Sequence, residues 1–121
     1  MKIIDKELPE EFSEEVYDFL ETVREKGGKI KRGVNETTKS LERGFAKLVV
    51  VAEDVDPIEI VMHLPALAKE KNVPLIPVKS KEQLGKAAGI DVNASSVAVI
   101  DIGRAKKEFE ALLKKFEELT K

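Results

Sequence analysis

A chain of 121 residues, 42% of them hydrophobic, is long enough to bury a substantial core. Its net charge of -2 and pI near 5.6 exclude a binder that works through overall basic charge. Having no cysteine, it has no disulfide framework, thiol nucleophile or cysteine metal site. We expect one domain spanning 1–121. The start Met1-Lys2-Ile3-Ile4-Asp5-Lys6 turns charged too early for a secretory signal, and no apolar run approaches the roughly 20 residues of a membrane span. The expectation is a soluble cytoplasmic chain with no membrane partner. A charged fraction of 36% hints at a heat-tolerant source.

In chain order, Ser13 is placed to cap a helix running to about Lys26, with Val16, Phe19, Leu20 and Val23 on its apolar stripe and Gly27-Gly28 as its stop. Lys29 to Arg32 reads as a short strand. A helix containing Asn35 then continues to about Arg43 and ends at Gly44. Lys47 to Ala52, branched and apolar almost throughout, predicts a buried strand. Asp56-Pro57 opens the next helix, where Pro57 suits the first turn, and Pro65 is expected to break or kink it. Val73 to Val78 predicts a third strand, Ser80 a cap for a helix from Lys81 to about Ala88, and Val97 to Ile100 a fourth strand. Lys106 to Lys121 closes the chain as an amphipathic helix through Phe109, Leu112, Leu113, Phe116 and Leu119. This alternation predicts an α/β fold, a three-layer α-β-α sandwich with a central mixed four-stranded sheet. Loops around Gly33, from Asp54 to Pro57 and from Gly89 to Ser96 can then meet at one sheet edge.

The stretch from Lys31 to Lys39 carries the functional signal. Asn35, Glu36 and Lys39 are spaced to share one helical face. They offer an amide, a carboxylate acceptor and an ammonium donor, groups suited to reading nucleobase edges. A helix start beside Lys29, Lys31 and Arg32 also suits a phosphate. Between Lys29 and Lys47 six basic residues stand against two acidic ones. A basic face on an acidic body favours a compact, chosen nucleic-acid site over general phosphate attraction.

The segments Gly33-Val34-Asn35-Glu36-Thr37-Thr38-Lys39, Glu42-Arg43-Gly44 and Leu48 to Pro57 resemble the L-seven-Ae family, the archaeal large-subunit ribosomal proteins that bind RNA kink-turns. His63-Leu64-Pro65 and Ser80 to Gly89 extend the resemblance, which covers residues 28 to 100 almost without gaps. It implies an α-β-α sandwich that binds a short stem, a bulge and tandem sheared G·A pairs. Asn35, Glu36 and Lys39 would contact the G·A pairs in a major groove opened by the kink, since an ordinary A-form major groove is closed to side chains. Gly33 would let the backbone come close to the RNA, and Lys31 and Arg32 would flank phosphates. Ile90, Asp91 and Val92 would pack against the extruded bulge nucleotide. Asp91 stands where the family usually has Glu, and Asn93 where Pro or Ala is more familiar. Ile60 and Lys81 match positions near the same nucleotide.

The resemblance further implies rRNA, box C/D and H/ACA guide RNAs and ribonuclease P RNA as targets, with ribosomal and guide-complex proteins as partners. A monomer without RNA, no cofactor, no metal and no catalytic residue are expected.

Blander readings stand beside these. Asn35 could serve only as an N-cap, with Lys39 and Arg43 on a solvated face. Val34, Leu41 and Phe45, on the opposite side, read as core. His63 has no second imidazole or thiol near it in sequence, Ser95-Ser96 lacks a nucleophile-elbow context, and Gly85-Lys86 lacks the spaced glycine of a P-loop. The rival from another class is a receiver-like phosphotransfer domain using Glu53-Asp54 and magnesium after a buried strand. Against it, the first strand ends in Lys31-Arg32-Gly33, where a receiver would carry acids.

Overall fold

The computed structural model describes residues 3, 4 and 6–121, so Met1, Lys2 and Asp5 of the charged start lie outside the described residues. Four strands, β1 (Lys29–Arg32), β2 (Leu48–Ala52), β3 (Leu75–Val78) and β4 (Ser96–Asp101), form one sheet in the order β1-β4-β2-β3. β2 pairs with β3 in parallel, while β4 is antiparallel to both β1 and β2. The sheet is therefore mixed and four-stranded, as expected. Every residue of β2 is buried, and so are the first four of β4, which is why both read as unbroken apolar runs. In the edge strand β1 only Ile30 is buried. Its lysines and arginine stay at the surface.

Helices α1 (Glu10–Glu25), α4 (Lys81–Ala87) and α5 (Lys106–Leu119) form one group, and α2 (Val34–Glu42) and α3 (Leu64–Glu70) the other. The sheet lies between them. Phe12 stacks on Phe116 and Phe19 on Phe109, with ring centroids 6.0 and 5.8 Å apart, locking α1 to α5. Ion pairs of 2.6 Å, Lys26–Glu108 and Lys115–Glu15, flank those rings. The hydrogen bond from Lys26 holds the Glu108 carboxyl below its ordinary pKa. No described helix is long and apolar enough to cross a membrane.

Three local expectations need correction. Ser13 does not cap α1: Pro9 holds the cap position, and Glu10 and Glu11 fill the first turn, where the helix dipole favours acids. Ser13 is instead buried, its Oγ accepting the Lys79 N–H at 3.2 Å, so it ties the helix to the chain after β3. Nearby, the Tyr17 hydroxyl accepts the Ser80 N–H at 3.1 Å, and burial raises its pKa.

Second, Asp56-Pro57 opens only a single 3-10 turn, Ile58–Ile60, and α3 starts at Leu64 with Pro65 in its first turn. There its missing N–H has no helical partner to lose, so Pro65 begins a helix rather than breaking one.

Third, Leu41 is fully buried and Val34 partly so, but Phe45 is 57% exposed. The helical period that grouped it with Leu41 stops at Arg43. Gly44 then adopts a left-handed φ of +75° and turns the chain away. Elsewhere the turn chemistry is as read: Ser80 caps α4 by accepting the Gln83 N–H at 3.1 Å.

Candidate nucleic-acid interface

The interface is built around Gly33, where β1 gives way to α2. Gly33 has φ +93° and ψ 158°, a backbone conformation open essentially to glycine alone. A Cβ there would meet nothing within 4 Å, so the constraint is the backbone angle, and the ground above it is open. The Gly33 N–H donates to the Ser96 carbonyl at 2.8 Å, and its own carbonyl accepts the Thr37 N–H and hydroxyl at 3.0 and 2.8 Å. The Ser96 hydroxyl completes the ring by donating to Thr37 Oγ1 at 3.1 Å. Thr37 and Ser96 are both fully buried. The start of α2 is thus bolted to the start of β4.

The N-cap position belongs to Gly33, so Asn35 is not a cap; no side chain caps this helix. Asn35 is exposed and makes no side-chain hydrogen bond among the described residues. One turn on, Lys39 is exposed and Glu36 half-buried, their charged ends 3.4 Å apart. An exposed pair of this kind is worth about 0–1 kcal/mol, so an incoming ligand can separate it readily. An amide, a carboxylate and an ammonium therefore stand available beside open helix-start N–H groups.

Lys31 and Arg32 differ in what they touch. Lys31 lines a groove with Glu36, Lys39 and Arg43 of the α2 side. Arg32 Nε donates to the Ala88 carbonyl at 2.8 Å and its guanidinium also reaches the Ile30 carbonyl at 3.2 Å. It joins β1 to the end of α4, as the two-residue alternation of a strand allows.

The second half of the site, 90–95, is held by its ends. The Ile90 N–H donates to the Gly85 carbonyl and the Ala94 N–H to the Lys81 carbonyl, each at 3.0 Å. The Ala52 N–H at the end of β2 donates to the Ser95 carbonyl, also at 3.0 Å. Gly85 lies so close under the loop that a Cβ would collide with the Val92 carbonyl. Ile90 is half-buried against the core, while Asp91 and Val92 are exposed, Val92 by 68%. At the start of α4, the Lys81 N–H donates to Asp54 Oδ1 at 2.8 Å, and its ammonium makes no ion pair among the described residues. Ile60, 44% exposed, ends the 3-10 turn three residues before His63, whose Nε2 lies 2.9 Å from Thr38 Oγ1 of α2. One end of the sheet thus gathers Gly33, Asn35, Lys81 and the 90–95 loop, with Ile60 in a turn just before His63, which is tied to α2.

Thr37, Ser96, Gly85 and Asp54 hold this arrangement; the sequence reads Glu53-Asp54 as helix-cap and loop residues, which fits Asp54, but gives the other three no such role. Thr37 was the most findable, being a polar residue on the inward face of an amphipathic helix. Ser96 acts through a partner distant in sequence, and Gly85 through the loop that follows its own helix.

Glu53 and Asp54, the acids of the receiver-like alternative, have structural partners. Asp54 accepts the first N–H of α4, and Glu53 pairs with Lys79 at 3.4 Å. Burial works against the Lys79 charge, but the carboxylates of Glu53 and Glu7 outweigh it and raise its pKa. Among the described residues no cluster of three or more His, Asp or Glu side chains is placed to hold a metal ion.

A mixed α/β sandwich that presents an uncapped helix start, flanking cations and an apolar loop tip at one end of its sheet is a platform suited to binding. Residues 14–109 match the ribosomal protein L7Ae/L30e/S12e/Gadd45 family, and the chain belongs to it. Its fold is similar to that of the Giardia lamblia 15.5kD RNA binding protein, at 34% identity and a TM-score of 0.86 over 96% of this chain and 95% of that one. Members of this family are RNA-binding structural proteins, and the chain is not an enzyme.

Proposed function

We propose that this chain is an RNA-binding ribonucleoprotein component that recognises kink-turns through the α2 start and the 90–95 loop. The observation that carries the reading is the exposed Asn35–Glu36–Lys39 face on a helix start with no side-chain cap, joined through Gly33, Thr37 and Ser96 to the strand that follows the loop. Lys39 and Asn35 address guanine O6 and N7, and Glu36 accepts from an exocyclic amine. Lys31 and Lys81 neutralise phosphates, Arg32 and Gly33 shape the approach, and Ile60, Ile90, Asp91 and Val92 receive the extruded nucleotide. The protein does no bond chemistry. It binds the kinked conformer better than the extended one, and that difference in affinity holds the bend.

This reading extends to rRNA, with the chain as a large-subunit ribosomal protein of the archaeal type. It extends also to box C/D and H/ACA guide RNAs and ribonuclease P RNA, one kink-turn reader serving several assemblies. The single domain 1–121 acts in the cytoplasm as a monomer until RNA and partner proteins join it.

The test is a titration with a kink-turn RNA beside the same RNA with its tandem G·A pairs replaced by Watson–Crick pairs. Replacement is expected to weaken binding about a hundredfold, near 2.7 kcal/mol. Asn35→Ala and Lys39→Ala should each lose about 1–3 kcal/mol of affinity while the fold is kept, as expected for a lost base contact. Lys31→Ala should mainly reduce the salt slope, by about one. Equal binding to both RNAs would sink the kink-turn assignment.

A further inference from the structure

Phe45 is a large apolar side chain that the core does not explain. The chain around it is tightly built. The Gly44 N–H donates to the Leu41 carbonyl at 3.1 Å and the Phe45 N–H to the Ser40 carbonyl at 2.9 Å, the paired bonds of a Schellman ending. In that ending the residue at Phe45's position commonly packs on apolar side chains one turn back in the helix. Here those positions are Lys39 and Ser40, so the ring has no apolar partner on its own helix. It is more than half exposed on a fixed backbone, and the entropy of ordering that backbone is already met by folding.

The ring borders a groove of about 270 Å³ lined by Lys31, Glu36, Lys39, Ser40, Arg43 and Ile100 as well as Phe45. Three cations and one carboxylate give this groove a positive rim, and neither Lys31 nor Arg43 makes an ion pair among the described residues. Glu36 and Lys39 belong both to this groove and to the proposed base-reading face, so the two are continuous. At 1.5 Å per residue, the nine residues of α2 carry that surface roughly 14 Å from the Gly33 end to the Phe45 end. That is room for several nucleotides of a strand already seated at Asn35.

We propose that this groove is a second RNA subsite, in which one unpaired nucleobase beyond the kink stacks on Phe45 while Lys31 and Arg43 hold its flanking phosphates. An aromatic face beside unpaired cations is the combination that retains single-stranded nucleic acid without reading its sequence. The subsite rests on the RNA-binding reading above.

The experiment uses the full chain and a two-strand kink-turn RNA whose stems are shortened one pair at a time, blunt or with one unpaired adenosine at each of the four strand ends in turn. At one end and one stem length the adenosine should tighten binding about tenfold, within the range for one base–aromatic stack. Phe45→Ala and Phe45→Leu should both abolish that gain while keeping the blunt-RNA affinity. Phe45→Trp should retain it, and because the chain has no other tryptophan its emission reports the stack directly, by quenching only with the overhang. No overhang effect at any end, equal losses on blunt and overhung RNA, or unquenched emission would each overturn the subsite. Kink-turn RNA that fails to bind the wild-type chain would instead remove the reading on which the subsite rests.

Discussion

The two halves of the candidate interface are held in opposite ways. The α2 half is fixed from beneath by side chains: Leu41 fully buried, Thr37 and Ser96 buried and hydrogen-bonded to each other, and a glycine in a conformation other residues avoid. The 90–95 half is fixed mainly by backbone bonds at its ends, with Asp91, Val92 and Asn93 left at the surface. A face that must present three polar groups to base edges gains from being set before the ligand arrives, because misplaced hydrogen-bonding groups lose their directionality. A loop that packs on an unstacked nucleotide makes non-directional apolar contact and tolerates adjustment.

The contrast can be broken most severely at Leu41. Leu41→Ala should destabilise the fold by about 2–5 kcal/mol in a denaturant titration, because a fully buried side chain leaves a cavity under α2. A smaller effect is expected at Gly33: Gly33→Ala should cost about 1–3 kcal/mol of stability from backbone strain. It should also weaken RNA binding, since the strain is relieved by turning the start of α2. A Gly33→Ala protein with unchanged stability and affinity would mean that the positive φ at this position is not required. The smallest effect sharpens the comparison from the other side. Val92→Ala should leave stability within about 0.5 kcal/mol, as surface changes do, and weaken RNA binding only a few-fold. A Val92→Ala loss as large as that of Asn35→Ala would place the specificity in the loop instead.

Much of this was readable from local rules. The buried strands announce themselves as branched apolar runs, and Ser80 caps its helix as its place before Lys81 to Ala87 suggests. The polar trio on α2 follows from helical spacing alone. What escaped was long-range. Ser13 looked like a cap because serine usually is one at the head of an apolar stripe, yet its partner is the Lys79 N–H, 66 residues away. Phe45 looked buried because the helical period was carried past Gly44, although Gly44 itself reads correctly as the stop of α2. Pro65 gave the opposite error: a proline that would break a long helix is a good beginning for a short one. Thr37 and Ser96 form the most consequential contact of the interface, and nothing local in either residue points to the other.

The edge position of β1 has a further consequence. An open sheet has two rims, each a template on which another copy could add a strand. On the β3 rim every residue is buried and Pro77 lacks an N–H to offer. On the β1 rim the deterrent is electrostatic, with Lys29, Lys31 and Arg32 at the surface of a strand that pairs on one side only. Two such rims repel each other, so unbound copies are discouraged from polymerising edge to edge. The charges proposed to attract RNA would thus also guard the free edge of the sheet.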